Sequence, residues 1–125
     1  MNTEPILTVF FFCSETGREP VRDWLREMEK DDRKAIGEDI KLVQFRWPLG
    51  IPLVRKIEAD LWEVRSRLEK GRISRLFFTV YGDKIILLHG FIKKSPKTPN
   101  QELKLALSRK NQWLKQEQSH ESIYR

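Results

Sequence analysis

Leu61–Pro99 reads LWEVRSRLEKGRISRLFFTVYGDKIILLHGFIKKSPKTP. Three apolar-rich runs are separated by short turns at Glu69-Lys70-Gly71 and Gly82-Asp83. A two-residue Gly-Asp link between β-prone runs is a hairpin signal. The stretch therefore predicts a three-stranded antiparallel meander. Alternation then sorts its side chains. Trp62, Val64 and Leu68 share one face of the first strand, which belongs under helices. Leu61, Glu63, Arg65 and Arg67 share the other, over a more open surface. The middle strand is apolar on both faces, which makes it central. By the same parity His89 lies with Ile85, Leu87, Phe91 and Lys93. Whether Arg72 or Arg75 joins Arg65 depends on register, because a one-residue slip exchanges the faces.

Working outward, Ile6–Cys13 (ILTVFFFC) is a continuous apolar run that predicts a buried strand. Pro20 fits the first turn of a helix, with Val21, Trp24, Leu25 and Met28 as its apolar stripe. Asp31 or Asp32 caps a second helix with Ile36, Ile40, Val43 and Trp47 on one side. Trp47–Pro52 is a connector. After the meander, Thr98 caps a last helix, Pro99 takes its first position and Gln101 closes a capping box. Leu103, Ala106, Leu107, Lys110 and Leu114 form its inner stripe. The order is β-α-α-β-β-β-α, an α+β fold: a small antiparallel sheet with an N-terminal αα-hairpin and a C-terminal helix. One domain is expected over residues 1–118, followed by a polar, frayed tail at 119–125.

Composition narrows the function. A chain of 125 residues suffices for one core, and its 39% hydrophobic content is that of a globular protein. Cys13 is the lone cysteine, which excludes an internal disulfide, and it reads as a buried filler. His89 and His120 are the only histidines and no acidic cluster has ligand spacing, so neither a metal site nor a cofactor is expected. Leu7–Phe12 is too short to span a bilayer and lacks the basic lead of a signal peptide. A cytoplasmic protein without membrane contact is therefore expected. Residues 1–50 hold 8 Lys/Arg against 10 Asp/Glu, and residues 51–125 hold 16 against 8. That asymmetry points to a polyanionic partner, either nucleic acid or an acidic protein.

LWEVRSR, GRISRLFF and ILLHGFIKKSPKTP resemble the RelE/HigB-type toxins of bacterial type II toxin–antitoxin pairs, particularly the phage-derived HigB-like branch. The resemblance follows element order over roughly residues 5–115 and is sharpest over 61–99. It implies a RelE-like, microbial-RNase-type fold and a ribosome-dependent mRNA endonuclease that inhibits translation. It also implies a cognate helix-turn-helix antitoxin, through which alone operator DNA is contacted. Since RNA supplies its own nucleophile, the 2′-OH, such a protein needs cations and a proton acceptor. Arginine offers a planar fork for phosphate oxygens, and lysine acts as a base only where burial or other cations lower its pKa. The resemblance assigns Arg65, Arg67, Lys93, Lys94 and Lys97 to catalysis, with Lys70, Arg72, Arg75 and His89 contacting RNA. The tyrosine that some relatives carry near the start of the last helix is missing here.

Each assignment has a structural rival. Arg65 and Arg67 can be solvated cations paired with Glu63, and the lysine cluster an ordinary solubilising edge. Arg75 reads as a packed stem with its head on a carboxylate. His89 reads equally as a hydrogen-bonded strand-end residue. Trp24, Trp47, Trp62 and Trp113 fit apolar stripes and read as core. Because fold does not decide function, two other readings stand beside the nuclease. One is a toxin of the same superfamily that binds a target such as gyrase. The other is an inactive prophage remnant that keeps its antitoxin.

Overall fold

A computed structural model of the chain describes residues 4–93 and 99–123. The elements run β1 (Thr8–Phe11), α1 (Pro20–Arg26), α2 (Lys30–Arg46), β2 (Val54–Glu58), β3 (Leu61–Arg67), β4 (Ile73–Tyr81), β5 (Lys84–Ile92) and α3 (Asn100–Ile123), with a short 3-10 turn at Glu69–Gly71. The α+β class, the paired N-terminal helices, the meander and the last helix are as the sequence predicts. The five strands order as β1-β5-β4-β3-β2, with β4 central. Strands β2 to β5 pair antiparallel in succession, whereas β1 lies parallel to β5.

Two features of the sheet depart from expectation. The strand β2 was hidden in the sequence because Val54 and Ile57 are its only apolar positions and face opposite sides. Lys56 pairs with Trp62 but Glu58 pairs with Leu61, so Ile57 is bulged and the alternation breaks. β1 is an edge strand rather than a buried one. Leu7 and Phe12 are inside, but Ile6 is 48% and Phe10 41% exposed, and Cys13 is exposed too.

Helices cover both faces. On one, Val21 of α1 and Ile36, Ile40 and Val43 of α2 pack on Val54, Val64, Leu76, Phe78, Ile85 and Leu87. Trp47, Trp62 and Phe78 meet there with ring centroids 5.1–6.1 Å apart. On the other, Leu103, Ala106, Leu107 and Trp113 of α3 pack on Phe12, Leu61, Phe77, Ile86 and Leu88. The second face is thus only partly open. All four tryptophans belong to the cores.

The helix ends differ from the expected caps. Glu29 holds the N-cap position of α2 without a side-chain cap, and Asp31 and Asp32 lie in its first turn. The carbonyl of Pro99 accepts from the N–H of Glu102 and Leu103, so α3 begins at Asn100, while Thr98 lies outside the described residues. The tail expected to fray continues α3 to Ile123, and neither glycine nor proline interrupts it there. No described helix is long and apolar enough to cross a membrane.

Gly90 sets how closely α1 approaches β5. A Cβ there would lie 2.3 Å from the Trp24 ring. Gly90→Ala is therefore expected to lower stability by about 1–3 kcal/mol through overpacking, measured by urea denaturation followed by circular dichroism.

Candidate functional site

Register decides which cations meet. Arg65 stands directly opposite Arg75, Glu63 opposite Phe77 on one side and Arg55 on the other. Arg75 pairs with Phe91 and Phe77 with His89, and the Lys93 N–H donates to the Ile73 carbonyl at 2.7 Å. Arg55, Glu63, Arg65, Arg75 and Lys93 therefore share the face that α3 covers elsewhere, with one contributor or more from each of four strands. Arg67 follows at the exposed end of β3, opposite Ile73. Arg65 and Arg67 also line a groove of about 330 Å³ with Pro52, Leu68, Gly71, Arg72 and Ile73.

The anion of this group is deep. Glu63 is 0% and Arg75 3% exposed, with Arg75 Nη1 3.7 Å from Glu63 Oε2. Neither Glu63 oxygen has a hydrogen-bond partner among the described residues. The expected pairing of Glu63 with Arg65 or Arg67 is replaced by one with Arg75. Lys93 is held below its ordinary pKa by partial burial first, then by Arg75, Arg65 and Arg55, with Glu63 opposing. That is the environment a lysine needs to lose its proton more readily.

Parity misplaces His89 for an identifiable reason. Phe77 pairs with His89 but Phe78 with Leu87, so Leu88 is an extra residue. This bulge moves His89 to the face of Arg65 and Arg75, away from Ile85 and Leu87. There Arg109 Nη1 donates to His89 Nδ1 at 3.2 Å and to the Leu88 carbonyl at 3.0 Å. With Nδ1 accepting, the ring proton sits on Nε2, which donates to Glu102. The Phe91 ring stacks on His89 at 6.0 Å. Burial lowers the Arg109 pKa, partly offset by Glu102. His89 is thus clamped on both nitrogens, the strand-end role its sequence context allowed.

Arg72 lines the same groove as Arg65 and Arg67 but is tied to α2. It donates to both carboxylate oxygens of Asp32 at 2.8 and 3.0 Å and to the Glu69 carbonyl at 3.2 Å. These bonds tie the 69–71 turn to α2 and leave the Arg72 side chain 39% exposed on the groove it shares with Arg65 and Arg67. The Arg72 hydrogen bonds depress the Asp32 pKa, against a smaller opposing effect of burial. A depressed carboxyl stabilises fully above its ordinary value of 3.8 and loses that contribution as pH falls through the lower folded value. Asp32→Asn is accordingly expected to melt below wild type at pH 7, with the two melting temperatures converging in strong acid.

Lys70 is exposed in the turn, at φ 62°. Lys94 and Lys97, with the rest of 94–98, lie outside the described residues, as does Tyr124. Tyr81 packs edge-on to Trp113 at 5.5 Å within the α3 contact. Among the described residues no three His, Cys, Asp or Glu side chains gather as a metal-binding group.

Sequence reasoning missed Arg55, because its strand was missed, and Glu102 with Arg109. A signal for the second pair existed. Glu102, Ala106, Arg109 and Trp113 fall at i, i+4, i+7 and i+11, a stripe beside the apolar one.

No curated protein matches the chain. The family described as phage-derived protein Gp49-like matches residues 23–111, from the first turn of α1 to the middle of α3. The match takes in four of the five strands and every residue of the cationic face, and it covers more than two thirds of the chain. The chain belongs to the phage-derived Gp49-like family.

Proposed function

We propose that this protein is the toxin of a type II toxin–antitoxin pair of RelE/HigB kind, a metal-independent endoribonuclease that cleaves mRNA on the ribosome. The observation that carries the reading is the convergence of Arg55, Arg65, Arg75 and Lys93, from four strands, on one face around a buried carboxylate. Such a surface suits a phosphodiester, whose charge grows in the transition state.

Lys93 takes the proton from the 2′-OH, and the resulting alkoxide attacks the adjacent phosphorus. The P–O5′ bond breaks, leaving a 2′,3′-cyclic phosphate, and the departing 5′-oxygen takes a proton from water. Arg65 and Arg67 hold the non-bridging oxygens. Arg75, buried beneath, contributes its charge without needing contact. His89 belongs to the frame that holds β5 to α3, and Lys94 and Lys97 extend the basic segment beyond Lys93. The protein acts in the cytoplasm, and a helix-turn-helix antitoxin neutralises it and carries it to operator DNA.

The test is message integrity in a purified translation system, with and without ribosomes, using wild type and Arg65→Ala. Stops in reverse transcription that need ribosomes and fall at least tenfold in the variant are expected from loss of a phosphate-binding arginine. Cleavage without ribosomes would make the protein a free ribonuclease. An intact message alongside arrested growth would favour a target-binding toxin, and unarrested growth an inactive remnant.

A further inference from the structure

The least economical feature of the cationic face is Glu63. Its apolar neighbours on this face are Leu61, two residues before it, and Phe77 opposite, both fully buried. Apolar side chains in place of both Glu63 and Arg75 would pack here at little cost, since buried ion pairs are commonly no more stabilising than apolar pairs. The carboxylate is nevertheless completely enclosed, and its nearest cationic atom, Arg75 Nη1, stands 3.7 Å away. At that distance the pair is an ion pair but not a hydrogen bond.

What the carboxylate faces is unfavourable without it. Arg65 and Arg75 are direct cross-strand partners, an arrangement that costs free energy for like charges. Arg55 lies across β3 from the same point, and Lys93 completes the group from the end of β5. Among the described residues the charged groups acting on Lys93 are Arg55 from β2, Glu63 and Arg65 from β3, and Arg75 from β4, so of these Glu63 supplies the one negative charge. From the α3 side, among the described residues, Glu102 and Arg109 are engaged with His89, Lys110 with the Ala59 carbonyl and Glu117 with Lys84.

Resting on the proposed nuclease reading, we infer that Glu63 is the positioning residue of the cationic face: it holds Arg75 from within the sheet and keeps Arg65 and Lys93 gathered at one point on the surface. It touches no substrate. Its effect is to fix where the positive charge is concentrated and how readily Lys93 gives up its proton. Glu63→Gln keeps the shape of the side chain and removes the charge that gathers the cations.

This produces a split that a merely structural carboxylate would not. With one negative charge fewer, Glu63→Gln binds a single-stranded RNA oligonucleotide at least as tightly as wild type. Its cleavage rate constant at saturating RNA–ribosome complex falls at least tenfold, because Arg75 and Lys93 are no longer held. The Lys93 ammonium, followed by NMR of the uniformly labelled full chain, titrates at lower pH in the variant, since the one neighbour favouring its charged form is gone. Glu63→Asp keeps the charge and restores part of the rate. Urea denaturation of both variants separates loss of fold from loss of position.

A Lys93 midpoint unchanged in folded Glu63→Gln would overturn the inference whatever happens to cleavage. So would a parallel loss of RNA binding and rate that tracks stability alone. A Lys93 midpoint that moves while neither protein cleaves RNA would uphold the electrostatic role and instead sink the nuclease reading. If Glu63→Gln does not fold, the Glu63→Asp titration decides: its midpoint must lie at or below that of wild type, and a higher one overturns the inference.

Discussion

Arg75→Ala is expected to cost the fold about 3–5 kcal/mol, the usual consequence of removing one partner from a buried ion pair. The guanidinium is 4% exposed in its side chain and the Glu63 carboxylate 0%. Alanine would leave that carboxylate enclosed, without a hydrogen bond among the described residues and without its cation. Urea denaturation at pH 7 measures the loss. The comparison that identifies its cause is the double replacement of Glu63 by leucine and Arg75 by methionine. It fills the volume with apolar atoms and is expected to recover most of the stability, or to exceed wild type. An Arg75→Ala protein within about 1 kcal/mol of wild type would mean that water or rearranged neighbours satisfy Glu63.

Lys93→Gln is expected to reduce ribosome-dependent cleavage by about 10²–10⁴-fold, the range for loss of a general base. Removing one positive charge also weakens RNA binding, so the decisive comparison is Lys93→Arg. Arginine preserves the charge but holds its proton throughout the accessible range. Under the proposed function it retains binding and loses cleavage as completely as glutamine does. Wild-type rate should rise with pH towards a midpoint below the ordinary lysine value of 10.5, because partial burial and three arginines oppose the ammonium. A Lys93→Arg protein that cleaves at the wild-type rate would reduce Lys93 to a charge and remove it as the base.

Much of this architecture can be read from residue patterns because its signals are local. The Gly82-Asp83 turn appears as expected, with Gly82 at φ 61°, a conformation that costs glycine little. The apolar stripes of the helices place Val21, Ile36, Ile40, Val43 and Ala106 in the cores where they are found. The failures at β2 and His89 share one cause, a strand whose period of two is interrupted. A bulge at Ile57 hid β2 and with it Arg55, and another at Leu88 transferred His89 to the opposite face. Periodicity cannot place an extra residue, since the bulge is decided by what the neighbouring strand and helix require.

The candidate site divides along the same line. Arg65 and Arg67 lie on the predicted face because β3 alternates without interruption from Leu61 to Arg67. Which arginine joins them could not be known before register, and the answer has Arg75 opposite Arg65 while Arg72, on the groove beside them, bonds Asp32. The depth of Glu63 was illegible for another reason. A glutamate on an alternating strand reads as solvent-facing, and its burial depends on cations that arrive from β2, β4 and β5.

The parallel pairing of β1 with β5 has a consequence for synthesis. Thr8 must wait for Lys84, 76 residues later in the chain, before its strand has a neighbour. The central strand β4 likewise gains its second flank only when β5 arrives, and Lys93 follows β5 directly. A nascent chain emerging in order from an exit tunnel therefore carries the early helices and an unfinished sheet for most of its translation. Long-range pairing of this kind is slow to form, and here it is also late by construction. The four strands that bring the cations together cannot do so until the chain is free through Lys93, so the surface that defines the molecule is assembled after, and not during, the making of its parts.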